Sequence, residues 1–249
     1  MAKAISRRRR TLPTLTSHST HRCSAETPLL NEALVAAGFW PKVGTSGPIV
    51  GSWVTEQKVE GRSVHVDLDL LVPEAVSGDG TRAARLGVQG DRLARKAFGL
   101  ELALVDNDVM SVGALDSDQR SFPLRVAGVA ALLVSKVHKV AERLDDPKRD
   151  DYIAKDALDM LRLLRGGNVD SIAHVLLQAR SAKVDTADRM IATAIATTVE
   201  KALMVLRAEF SKENARGCAL AGRAAVGRDD PAVVAASLAA LVERLLARV

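Results

Sequence analysis

The chain has 249 residues, 47% of them hydrophobic, enough to bury a substantial core in one large domain or two small ones. With 26% charged residues and a mean hydropathy of +0.06, no uncharged apolar run exceeds Val126–Val134. That is far short of the roughly 20 residues a spanning helix needs, so no membrane partner is expected. Aromatics at 3% argue against base-stacking modules. Two cysteines, Cys23 and Cys218, cannot build a disulfide framework or a cysteine metal site, and they point to a reducing, cytoplasmic setting.

The formal charge of +5 is unevenly placed. Residues 1–22 carry Lys3, Arg7, Arg8, Arg9, Arg10 and Arg22 and no acid, so the rest of the chain is close to neutral. This segment reads as a solvated, disordered basic arm, able to add non-specific phosphate affinity toward RNA. It lacks the apolar stretch of a secretory signal.

Regular patterning begins at Thr27-Pro28, which reads as an N-cap and first helical residue. Leu29, Leu30, Ala33, Leu34 and Ala37 then recur at helical spacing until Gly38. Pro48–Val54 and Val64–Val72 alternate as strands around the turn-like Val59–Arg62, which predicts a hairpin. Pro73 to Gly99 is a Gly/Arg-rich excursion, with Gly78–Thr81 a surface turn rather than a phosphate loop. Leu100–Val105, Val109–Leu115 and Pro123–Val126 are further strand candidates. Helices are expected over Ala130–Leu144, Tyr152–Leu164, Asp170–Ala179, Thr186–Phe210 and Pro231–Arg248, the last with Asp230 as N-cap. The expected fold class is α+β: a small mixed sheet followed by a C-terminal helical bundle. Residues 23–166 form one domain and 168–249 a C-terminal helical region.

Two constellations carry chemistry. Asp67 and Asp69 lie two apart in a strand, so both face one side, about 7 Å apart at ~3.3 Å per residue. They either bind a divalent cation such as Mg²⁺ or serve as charges that protect an edge strand. In the second, Lys136 and Arg143 are seven apart and share a helix face, with Lys139 beside them. On the next helix, Lys155 precedes Asp156, and Asp159 follows three residues later. A short connection sets the two helices antiparallel, so cations meet carboxylates. Either this is a structural ion-pair network, or Lys136 serves a triphosphate and Asp156 orients it.

Arg125-Val-Ala-Gly-Val-Ala-Ala-Leu-Leu-Val-Ser-Lys136 through Arg143, followed by Lys155-Asp156-x-x-Asp159-Met-x-Arg-Leu-Leu164, resembles the Lys-x6-Arg and Lys-Asp-x-x-Asp helices of the AbiEii-type nucleotidyltransferase toxins. These belong to the DNA polymerase β-like nucleotidyltransferase superfamily. The resemblance spans about Arg22 to Arg165, and the front half departs from it. In one register, Arg22-Cys-Ser-Ala-Glu-Thr-Pro-Leu-Leu30 stands where the family has its Asp-x-Asp segment. Glu26 is then the surviving metal ligand, Asp67 with Asp69 supplies the third carboxylate, and the Gly-Ser strand is missing. In the other, Gly51-Ser52 is the phosphate-binding turn, Asp67 and Asp69 are the metal pair, and Glu101 is the third acid.

The resemblance implies a nucleotidyltransferase that moves a nucleoside monophosphate from an NTP to a hydroxyl, on the 3′ end of tRNA. It further implies a toxin-like role and a cognate antitoxin. Asp67, Asp69 and Glu26 would hold Mg²⁺ in two-metal fashion. Lys136, Lys139, Arg143, Lys155 and Asp159 would line the NTP site, with Lys136 and Asp156 beside the reacting phosphates. The rival reading, favoured by the degraded Glu26 segment, is a catalytically degenerate member that binds without transfer. A third is a helical interaction module built on residues 168–249. The five histidines show no zinc-ligand spacing, and Ser52 lacks the second glycine of a nucleophile elbow.

Overall fold

The computed structural model describes residues 29–249, apart from 60, 79, 81, 115–118 and 145. The basic arm, Glu26 and the Thr27-Pro28 cap lie outside the described residues. The chain is a mixed α/β protein with small sheets ahead of a set of packed helices. No helix among the described residues is long and apolar enough to cross a membrane.

Helix α1 (Leu30–Ala36) ends where Gly38 takes a positive φ of 81°. Strands β1 (Trp40–Gly44), β2 (Gly47–Val59) and β3 (Arg62–Asp69) form an antiparallel sheet with β2 in the centre. The expected hairpin is therefore present, with Ser52 opposite Asp69 and Val54 opposite Asp67. It gains β1, which the sequence pattern does not announce. Trp53 is buried with Leu34 and Leu93 in a small core, and its indole N–H donates to the Leu93 carbonyl at 3.2 Å. Val66, on the strand face opposite Asp67 and Asp69, is exposed.

The expected strand Val64–Val72 breaks at Leu70. Its continuation, β4 (Leu71–Pro73), pairs in parallel with β5 (Arg95–Ala97), inside the stretch read as an excursion. Gly51 makes this crossing possible. Its φ is +74°, and a Cβ there would sit 2.6 Å from the Arg95 nitrogen and 2.7 Å from the Leu70 carbonyl. Leu100–Val105, expected as a strand, is a 3₁₀ turn at Glu101–Leu104. Its apolar side chains enter the helical core through Leu102 rather than a sheet. Strands β6 (Asn107–Gly113) and β7 (Ser121–Ala127) form a separate antiparallel ribbon.

Helices α2 (Val129–Ala141), α3 (Asp150–Gly166), α4 (Val169–Arg180), α5 (Arg189–Glu209) and α7 (Pro231–Leu246) fall close to the expected spans. Asp230 caps α7 as expected, its carboxylate accepting from the Ala232 and Val233 amides. An additional helix, α6 (Arg216–Ala224), packs on α3 and α7. One continuous apolar core joins Leu102 to α2 through α7, so α2 and α3 bury their apolar faces among the C-terminal helices. Asp106 starts α2 from outside the helix: its carbonyl accepts from the Gly128 amide at 2.8 Å, and its carboxylate from the Ala131 amide at 2.8 Å.

Candidate functional site

A cleft of about 890 Å³ opens between the β3–β5 region and helix α2. Its walls carry seven basic side chains and four acidic ones. Helix α2 and the turn after it contribute Lys136, Lys139, Arg143 and Arg149; β5 contributes Arg95 and Lys96, and the loop before it Arg82. The acids are Asp69, Glu74, Glu142 and Asp146.

One wall is rigid because α2 and α3 exchange charges as their spacing predicts. The Lys136 ammonium donates to Asp156 and to Asp159, both at 2.8 Å. Arg143 donates to the other Asp156 oxygen at 2.6 Å, and its guanidinium lies 5.6 Å from the centre of the Tyr152 ring. Arg162 closes the network on Asp159 at 2.8 Å. Burial opposes the charge on Lys136, but the hydrogen bonds and attraction of the two aspartates outweigh it and raise its pKa above the usual 10.5. Burial likewise opposes the charge on Asp159, yet Lys136 and Arg162 hold its pKa below the usual 3.8. An ammonium has three donors and Lys136 spends two on α3. One donor is left over, on a side chain that lines the cleft.

The other cations are held differently. Lys96 donates to the carbonyls of Gly78 and Gly80, which tethers the turn that precedes Arg82. Arg149 pairs with Asp146 at 3.4 Å. Arg82, Arg95 and Lys139 make no ion pair among the described residues, so their charge is directed at the cleft and solvent.

The predicted site residues separate into three groups. Lys136, Lys139, Arg143 and Asp69 line one cavity, and Asp156 and Asp159 lie behind it as the anchors of Lys136. Lys155, one residue before Asp156, is rotated away from that face and is exposed outside the cleft. Asp67 shares a strand face with Asp69 but is not part of the cleft wall; it pairs with Lys42 of β1 at 2.6 Å on the surface.

Among the described residues no three carboxylate, histidine or cysteine side chains converge as a metal site. Glu101 is fully buried, its carboxylate accepting from the amides of Glu74 (3.1 Å) and Gly99 (2.8 Å) and from the Thr198 hydroxyl (3.3 Å). It holds loops together and does not face Asp69 across the cleft. Asp69 itself accepts from the Ser52 hydroxyl at 2.6 Å. The described donor set therefore does not fit a two-metal centre.

Arg82, Arg95 and Lys96 escape a motif-based reading because the β4–β5 pairing places Arg95 and Lys96 at the cleft, and Arg82 follows through the Lys96 amide's bond to its carbonyl. The available signal was compositional: residues 78–97 hold five basic and two acidic side chains.

Comparison with known protein families, with curated proteins and with solved structures finds no match for this chain.

Proposed function

We propose that the cleft binds the polyphosphate of a nucleoside triphosphate, and that the chain is a nucleotide-binding protein of nucleotidyltransferase type that binds without transferring. The excess of cations over carboxylates in a cavity large enough for a nucleotide carries this reading. Lys136 offers a preset donor, since Asp156 and Asp159 fix its side chain before any ligand arrives. Lys139, Arg95 and Arg82, which form no ion pair among the described residues, offer charge on both walls. Among the described residues no carboxylate set converges, which favours binding over transfer, because two-metal phosphoryl transfer needs its acids. One observation favours the transferase alternative, with an NTP as donor and the tRNA 3′ end as acceptor: Asp69 shares the cleft with Lys136.

The test is titration of the purified chain with α-labelled NTPs, with and without magnesium, followed by incubation with total tRNA. Binding should appear, weaken with salt, and fall about tenfold in Lys139→Ala, one charge-assisted contact being worth roughly 1.5–3 kcal/mol. Lys139 is exposed and unpaired, so its removal leaves folding intact. Label that reaches tRNA and disappears in Asp69→Asn installs the transferase reading instead. Absence of both binding and transfer refutes both.

A further inference from the structure

A second cavity, of about 330 Å³, opens on the N-terminal sheet and shares no lining residue with the nucleotide cleft. Its wall is mostly apolar: Pro41 of β1, Pro48, Ile49, Val50 and Trp53 of β2, and Leu93 of the loop before β5. Hydrogen bonds from separate elements hold it open. The Trp53 indole N–H donates to the Leu93 carbonyl at 3.2 Å, and the Gly51 amide to the Arg92 carbonyl at 3.2 Å. The Leu30 amide of α1 donates to the Gln89 side-chain oxygen at 2.9 Å. The loop 89–93 is thereby tied to both β2 and α1, so the cavity is a preformed space rather than a gap into which the loop can settle.

One polar group at this wall has no partner. Asn31 of α1 lines the cavity, and its Oδ1 is buried yet accepts no hydrogen bond among the described residues. Buried acceptors are normally satisfied, so an orphan beside a cavity marks a place for a donor. The terminal torsion of an asparagine is broad and soft, and a turn of the carboxamide brings its oxygen onto a donor inside the cavity. The Trp53 N–H and the Gln89 oxygen are spent on the loop contacts, and the Ser52 hydroxyl on Asp69 at 2.6 Å. Asp91 and Arg92 also line the cavity but are exposed to water.

We propose that this cavity binds a small planar heteroaromatic molecule, bicyclic in size, which gives one N–H to Asn31 and lays its rings against Trp53 and the prolines. The volume sets the size: an apolar cavity of about 150 Å³ takes a benzene, and this one is roughly twice as large. The stiff aromatic and proline surfaces of the wall favour a flat ring over a flexible chain. The orphan oxygen sets the donor, since a ligand bearing only acceptors leaves Asn31 unsatisfied. The site is independent of what the cleft binds.

The test uses the isotope-labelled full chain carrying Trp40→Phe, an exposed position, so that Trp53 is the one tryptophan left. It is titrated with indole and with indene, the same bicycle without the N–H, while the Trp53 indole N–H resonance is followed. Indole should shift that resonance saturably with a Kd of about 1 mM or below, and indene should bind about three- to tenfold more weakly. Asn31→Ala should bring indole down to the affinity of indene and leave indene unchanged, a pattern that local damage does not give. Ile49→Phe, which fills the cavity, should weaken both about tenfold. A Trp53 resonance that neither probe shifts at millimolar concentration overturns the proposal. So do equal affinities for the two probes in the parent chain, or a preference for indole that survives Asn31→Ala. Nuclear Overhauser contacts from residues 1–28 to the Trp53 ring in the free chain also overturn it, by showing the cavity filled from within.

Discussion

Replacing Asp156 by Asn tests whether the α2–α3 charge network holds the cleft wall in place. The substitution keeps the shape and removes one charge. The Asp156 side chain is 5% exposed and accepts Lys136 at 2.8 Å and Arg143 at 2.6 Å, so its loss strands two cations that are 28% and 18% exposed. Breaking a fully buried pair costs about 3–5 kcal/mol. Here water reaches both cations, Lys136 keeps Asp159, and the Asn oxygen still accepts one hydrogen bond. About 2 kcal/mol is therefore expected, or a fall in Tm of about 4–8 °C for a chain of this length. Urea and thermal unfolding at neutral pH measure it, alongside Lys136→Met and the double variant. The double variant should lose about 1 kcal/mol less than the two single losses combined, because they share a contact.

The pH dependence follows from the same network. Lys136 has a folded pKa above its usual 10.5, so its contribution is present below that value and is lost as pH rises through the raised one. Asp159 has a folded pKa below 3.8, so its contribution is present above that value and is lost as pH falls through the depressed one. The Asp156→Asn penalty should thus be nearly flat between about pH 5 and pH 9. An Asn variant as stable as the wild type, or strict additivity with Lys136→Met, refutes the network as the anchor of this wall.

Gly128→Ala should be among the most damaging single-methyl additions in the chain. Its Cβ would collide with the Asp106 carboxylate that accepts from the Ala131 amide, so the cap must move or be lost. Overpacking and a lost cap together predict about 3 kcal/mol, and an unchanged urea midpoint would rule this out. His138 is buried against α5, bonded to the Thr198 carbonyl at 2.9 Å, with Glu101, Glu142 and Lys201 near it. Burial lowers its pKa below 6.5, although the Thr198 carbonyl and the two carboxylates pull the other way. The unfolded chain then binds the proton more readily, so stability is full above pH 6.5 and falls as pH drops through the depressed value. The urea midpoint should decline from about pH 7 to pH 5, and His138→Gln should flatten that decline; an identical slope in the variant removes His138 as its source.

Every helix of the C-terminal part except α6, and the α2–α3 charge pairing, was legible in the sequence, because the faces involved depend on spacing within about two turns. A seven-residue interval puts Lys136 and Arg143 on one face whatever surrounds them, and a short connection makes Asp156 and Asp159 their partners. Asp230-Pro231 likewise fixed a helix start from two adjacent residues. In the sheet region the β2–β3 hairpin was legible from alternation and a nearby turn, and the strands at Asn107–Gly113 and Ser121–Ala127 from their apolar runs, whereas β1 and the β4–β5 pairing were not.

Only the tertiary structure decided the rest. The apolar run Leu100–Val105 is equally compatible with a strand and a buried turn, and the helical core claimed it through Leu102. Asp67 and Asp69 are equivalent by alternation, yet the break of the strand at Leu70 puts Asp69 at the cleft and leaves Asp67 on the surface with Lys42. Glu101 looks like a candidate metal ligand along the chain, but in space two backbone amides claim its carboxylate. Arg95 and Lys96 reach the cleft through a parallel pairing between residues more than 20 apart, and the Lys96 amide, donating to the Arg82 carbonyl, holds Arg82 beside them. Local periodicity fixes which face a side chain takes on its own element, whereas the choice of what that face meets is made by long-range packing.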